Sequence, residues 1–109
     1  MPLKIPFELS VKELKEWMDT QKSFTLVDVR EPDEHAFANI GGTLMPLNTI
    51  PQHLPELDPD ADIVVYCRSG SRSGMAVEFL RRNGFERARN LQGGILAWSK
   101  EIDPTVRQY

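Results

Sequence analysis

Two short apolar runs constrain this chain more than any other feature: Phe24-Thr25-Leu26-Val27-Asp28-Val29 and Ile63-Val64-Val65-Tyr66. Both are rich in β-branched residues, and only Asp28 interrupts the first. Runs of this kind read as strands buried on both faces, which belong to parallel sheets covered by helices. Parallel neighbours need crossover connections, so helical patterns are expected between and around the runs.

Those patterns are present. Ser10-Val11-Lys12-Glu13 reads as a capping box, with the serine at the N-cap and the glutamate at N3. Val11, Leu14 and Met18 recur at spacings of three and four, which predicts a helix over residues 11–20. Glu31-Pro32 opens a short helix, since proline suits a first helical turn. Asn48 is placed to cap a helix over residues 48–57, made irregular by Pro51 and Pro55. Met75, Ala76, Phe79 and Leu80 form an apolar helix face, and Gly84 stands where its C-terminal cap belongs. A last helix is expected over residues 95–101, stopped by Pro104. Shorter strands are expected over residues 7–9, 44–47 and 89–91. The alternation argues for an α/β chain, a parallel sheet flanked by helices. No repeat, low-complexity tract or linker divides residues 1–109, which are expected to form one domain.

Composition narrows the function. A chain of 109 residues can bury a core without disulfides or a structural metal. The net charge of -3 gives no electrostatic reason to expect nucleic acid or an anionic membrane as partner. Residues 1–7 contain Pro2 and Pro6 and lack an apolar core of signal-peptide length. Cys67 is the single cysteine, so no internal disulfide forms, and one Cys with two His is too poor a set for a zinc site. No metal is expected. An exposed free thiol suits a reducing compartment, so the expected location is cytoplasmic.

The chemistry concentrates in Ile63-Val64-Val65-Tyr66-Cys67-Arg68-Ser69-Gly70-Ser71-Arg72-Ser73-Gly74. A buried strand ends, a small polar loop follows, and a helix begins. Ligands of open α/β sheets bind at such carboxyl ends of strands. Gly70 permits a turn that curls backbone N–H groups around one point, and a helix N-terminus adds partial positive charge. Arg68 and Arg72 add two cations. Together these favour a thiolate at Cys67, the condition for a nucleophilic cysteine. A cysteine that merely fills a strand end would not need the flanking arginines, serines and glycine.

Three segments then resemble the hallmarks of rhodanese domains: Asp28-Val29-Arg30-Glu31 with Glu34, Cys67-Arg68-Ser69-Gly70-Ser71-Arg72-Ser73, and Leu91-Gln92-Gly93-Gly94-Ile95-Leu96-Ala97-Trp98. They stand in the family's order and cover nearly the whole chain. The last segment, with Asp103-Pro104 and Tyr109, is similar to the C-terminal rhodanese domain of molybdopterin-synthase adenylyltransferases with sulfurtransferase activity. The resemblance implies a rhodanese-like fold, a five-stranded parallel sheet with helices on both faces. It implies a catalytic Cys67 that carries sulfur as a persulfide, with the backbone N–H groups of Arg68, Ser69, Gly70, Ser71 and Arg72 binding the outer sulfur. It implies thiosulfate or persulfides as donors and thiols or cyanide as acceptors, with a sulfur-carrier protein or an adenylating enzyme as protein partner. No cofactor is implied. One departure stands out. Many members carry Gly-His-Ile-x-Gly-Ala after the second strand, whereas this chain has Ala38-Asn39-Ile40-Gly41-Gly42-Thr43, without the histidine.

Two other readings compete. Cysteine phosphatases and arsenate reductases place an arginine six positions after the nucleophile; here that position is Ser73 and the arginine comes one earlier, at Arg72. A docking module that only binds partners would not need Cys67. Other residues read as structural. Asp28 and Arg30 border the same crevice, with an Arg30–Glu34 ion pair that pins the following helix. His35 and His53 read as solvated. Gly93-Gly94 lacks the end of a Walker motif and reads as a tight turn near the active loop. Trp17 and Trp98 read as packing residues.

Overall fold

The computed structural model describes residues 4–109. Met1 to Leu3, within the stretch read for a signal peptide, lie outside the described residues. The elements follow in the order β1 (Glu8–Leu9), α1 (Val11–Asp19), β2 (Thr25–Asp28), α2 (Pro32–Phe37), β3 (Thr43–Leu44), α3 (Ile50–His53), β4 (Ile63–Tyr66), α4 (Ser71–Arg82), β5 (Ala88–Leu91) and α5 (Gly94–Glu101). The five strands make one sheet in the order β1-β5-β4-β2-β3, and every pairing is parallel.

The two apolar runs of the sequence are the neighbouring central strands, paired Thr25 to Ile63 and Asp28 to Tyr66. Successive side chains of β4 point to opposite faces, so each face has its own core. Ile63 and Val65 pack with Val27, Ala76, Val77, Leu80 and Phe85, under α3 and α4. Val64 and Tyr66 pack with Leu9, Val11, Leu14, Ile95 and Trp98, under α1 and α5. Helices therefore cover both faces, and β4 is buried along its whole length. Among the described residues no helix is long and apolar enough to cross a membrane.

Local chemistry explains most boundaries. The Ser10 hydroxyl accepts from the Glu13 N–H at 3.1 Å, and the Glu13 carboxylate accepts from the Ser10 N–H at 3.2 Å, completing the capping box of α1. Pro32 occupies the first turn of α2. Three expectations are corrected. Asn48 caps no helix; it lies inside a 3-10 turn, Leu47–Thr49, and a second such turn, Leu54–Glu56, follows α3. Pro51 and Pro55 have no N–H to donate, so one continuous helix cannot form there. The expected strand over 44–47 shrinks to Thr43–Leu44, followed by a main-chain bond from the Met45 N–H to the Asp28 carbonyl at 2.8 Å. Met75 is 53% exposed and is not part of the α4 core face. Because α4 begins at Ser71, its buried stripe is Ser73, Ala76, Val77 and Leu80, at helical spacing.

Candidate active site

β4 delivers Cys67 to the carboxyl edge of the sheet, one residue past the strand. The chain turns through Arg68, Ser69 and Gly70 and enters α4. Gly70 has φ +112°, a left-handed conformation that glycine adopts without steric cost. That conformation swings the Gly70 N–H onto the Cys67 sulfur, with N to Sγ at 3.1 Å. The Ser73 hydroxyl donates to the same sulfur at 3.3 Å. Burial pushes the Cys67 thiol up, but the Ser73 hydroxyl and the N–H groups of Ser73, Gly70 and Ser69 outweigh it, so the thiol sits below its ordinary range.

The turn is held from two sides. Asn90 on β5 donates through Nδ2 to the Gly70 carbonyl at 3.1 Å. Behind the loop, the Ile95 and Leu96 N–H groups donate to the carbonyls of Cys67 and Arg68 at 3.0 and 3.1 Å. Gly94 makes that approach possible: a Cβ there would lie 2.5 Å from the Arg68 carbonyl oxygen and 2.6 Å from that of Cys67. Gly93-Gly94 is thus a turn packed against the active loop.

Three sequence expectations change at the site. The thiol is not exposed: Cys67 is only 1% accessible. Around it, Arg68, Ser69 and Ser71 of the loop are exposed. The two loop arginines are not free cations. Arg72 forks onto Glu34, Nη1 to Oε1 at 2.7 Å and Nη2 to Oε2 at 2.9 Å. Arg68 donates from both Nε and Nη2 to the Tyr109 main-chain oxygen, with Nε at 2.6 Å. The thiolate is therefore favoured mainly by the serine and the N–H groups. Nor does Arg30 pair with the Glu34 carboxylate. Its Nε and Nη2 grip the Asp28 carboxylate at 2.9 and 2.8 Å, both side chains fully buried. Toward Glu34 it offers only a contact to the main-chain oxygen, at 3.3 Å.

His35 is half-buried, its ring partly open to solvent and partly tied down: its Nδ1 lies 2.8 Å from Asp28 Oδ2, and because an ionised carboxylate only accepts, Nδ1 is the donor. Burial raises the Asp28 carboxyl, but bonds from Arg30 and His35 bring it below its ordinary value. His53 is half-buried to the same degree and meets Glu56 at 2.8 Å. Trp98 is buried and Trp17 half-buried, as packing residues. Ser73, Asn90 and Tyr109 belong to the site without having been marked as site residues. The Tyr109 hydroxyl donates to Glu34 at 2.6 Å and accepts from Arg30 at 3.0 Å. A serine six residues after a cysteine, on the buried side of a helix's first turn, is the one of these that spacing could have found.

Comparison with known proteins agrees with this geometry. The family profile described as "Rhodanese-like domain" matches residues 10–101. The "Sulfurtransferase" of Allochromatium vinosum is 38% identical over 100 residues, covering 91% of this chain and 94% of that protein. "Probable adenylyltransferase/sulfurtransferase MoeZ" of Mycobacterium tuberculosis is 36% identical over 104 residues, covering 93% of this chain. The match spans only 26% of MoeZ, about a quarter of its length. Among solved structures, a rhodanese-like domain protein from Staphylococcus aureus superposes with a TM-score of 0.80 at 32% identity, covering 94% of this chain and 97% of that one.

Proposed function

The chain belongs to the rhodanese-like domain family, and on that footing we propose that it is a sulfurtransferase that carries sulfane sulfur on Cys67. The Cys67 thiolate attacks the outer sulfur of thiosulfate or of a persulfide. The donor's S–S bond breaks, and sulfite or the donor thiolate leaves with the electron pair. Cys67 then holds a persulfide, whose outer sulfur passes to cyanide, a thiol or a partner's acceptor group. The observation that carries this reading is the pair of donors on one sulfur, the Gly70 N–H at 3.1 Å and the Ser73 hydroxyl at 3.3 Å. Both favour an anion at that point, whether a thiolate or the persulfide that replaces it. The N–H groups of Arg68, Ser69, Gly70, Ser71 and Arg72 form the cradle for the outer sulfur in this reading.

With no second cysteine in the sequence, the persulfide cannot be resolved internally as a disulfide. The acceptor in this reading lies outside the domain; the double activity in MoeZ's name supports an adenylating enzyme as the partner, and the name of the relative "Putative sulfur carrier protein YrkF" supports a sulfur carrier. A persulfide-bearing thiol also suits the cytoplasm. The Arg72–Glu34 fork speaks against a phosphatase, since that guanidinium is already engaged by a carboxylate. Steady-state rates over a grid of donor and acceptor concentrations test the reading. Parallel double-reciprocal lines are expected, because the donor product leaves before the acceptor attacks. Intersecting lines would require a ternary complex and contradict a free persulfide enzyme.

A further inference from the structure

Four of the ionised side chains around the active loop cancel in two pairs. Arg30 is matched by Asp28 inside the fold. Arg72 is matched by Glu34, through two parallel bonds that occupy one edge of the guanidinium. The bond from Arg72 outweighs the effect of burial and holds the Glu34 carboxyl down to about 2, so this pair stays ionised and net-neutral through the neutral range. The Glu34 side chain is 17% exposed, so its charge is partly shielded from solvent. Arg68 is the fifth of these groups. Its donors are turned onto the Tyr109 main-chain oxygen, and its guanidinium lies 5.3 Å from the centre of the Tyr109 ring.

We propose that Glu34 is a specificity-determining residue for the sulfur donor: by neutralising Arg72 beside the loop, it biases Cys67 against dianionic donors such as thiosulfate and towards persulfides of lower charge. The inference rests on the sulfur-transfer reading and adds the donor class to it. Thiosulfate brings two negative charges to a thiolate, and sulfite carries both away after the S–S bond breaks. A simple persulfide anion brings one, and its thiolate leaves with one. The dianion therefore gains more from an uncancelled cation near the sulfur and loses more when that cation is paired. A fork that only fastened α2 to α4 would act on both donors alike.

The test is the second-order rate of persulfide loading on Cys67, followed by quenched intact-mass analysis, with thiosulfate and with cysteine persulfide as donors. In Glu34→Gln the thiosulfate-to-persulfide rate ratio should rise about tenfold at low ionic strength, and the rise should shrink as salt is added. Arg72→Gln, which leaves the Glu34 charge unmatched, should lower the ratio, and the double variant should return it towards the parent value. A ratio that stays fixed in both single variants, or equal losses with both donors, overturns the proposal. A parent protein that loads sulfur from neither donor overturns the sulfur-transfer reading instead.

Discussion

At Cys67 two effects oppose each other. A sulfur that is 1% accessible is poorly solvated, which favours the neutral thiol. Against this stand the Ser73 hydroxyl and several N–H groups, which favour the anion, and these win. Ser73 is itself fully buried, with its hydroxyl on the sulfur. A hydrogen bond to a charged group contributes about 1.5–3 kcal/mol, so Ser73→Ala should slow persulfide loading roughly tenfold or more. The pH dependence gives the sign. Loading needs the thiolate, so its rate rises with pH through the thiol's lowered midpoint and then levels. Ser73→Ala removes a group that favours the anion, so the rising limb should move to higher pH. Thiolate absorbance against pH should move the same way. An unmoved limb would mean that the hydroxyl only fills space.

Among the elements, the turn into α5 is the support on which the loop rests. Gly94 has φ +60°, and its missing Cβ leaves room for two carbonyls of the active loop. These are backbone atoms, so a methyl group at Gly94 cannot be accommodated by a side-chain rotation. Gly94→Ala should cost about 1–3 kcal/mol in denaturant unfolding and also depress sulfur transfer in the protein that remains folded. Full transfer activity in the folded variant would separate the turn from the loop's geometry. The sequence announced these elements unevenly. The capping box of α1 and the β-branched run of β4 are local signals, and both elements formed where those signals put them. Met75 misled because its periodicity with Ala76, Phe79 and Leu80 admits two neighbouring faces; the buried Ser73, a polar residue that hydrophobic patterning ignores, fixes which one is used. Asn48 misled because two prolines downstream broke the helix it would have capped.

Across the whole molecule, the parallel order β1-β5-β4-β2-β3 places β4 and β2 at the centre and brings their carboxyl ends together. This is why Cys67, the residue after β4, shares a crevice edge with Asp28 and Arg30 at the end of β2. The nucleophile, its loop and the sheet were legible, because strand runs and a strand–loop–helix passage are contiguous in sequence. The charge partners were not. Glu34 and Arg72 are 38 positions apart, and the Tyr109 hydroxyl that joins Glu34 to Arg30 is 75 and 79 positions from them. With 13 Lys and Arg among 16 Asp and Glu, sequence offers many pairings and no means of choosing between them. Sequence also suggested two loop cations available to a donor, and only the packing of α2 and Tyr109 against the loop shows them engaged. The central claim, sulfur carried on Cys67, is tested most directly by intact mass after incubation with a sulfane-sulfur donor. The account predicts a gain of one sulfur atom that cyanide or dithiothreitol removes and that Cys67→Ala abolishes; no gain, or a gain that survives Cys67→Ala, would contradict it.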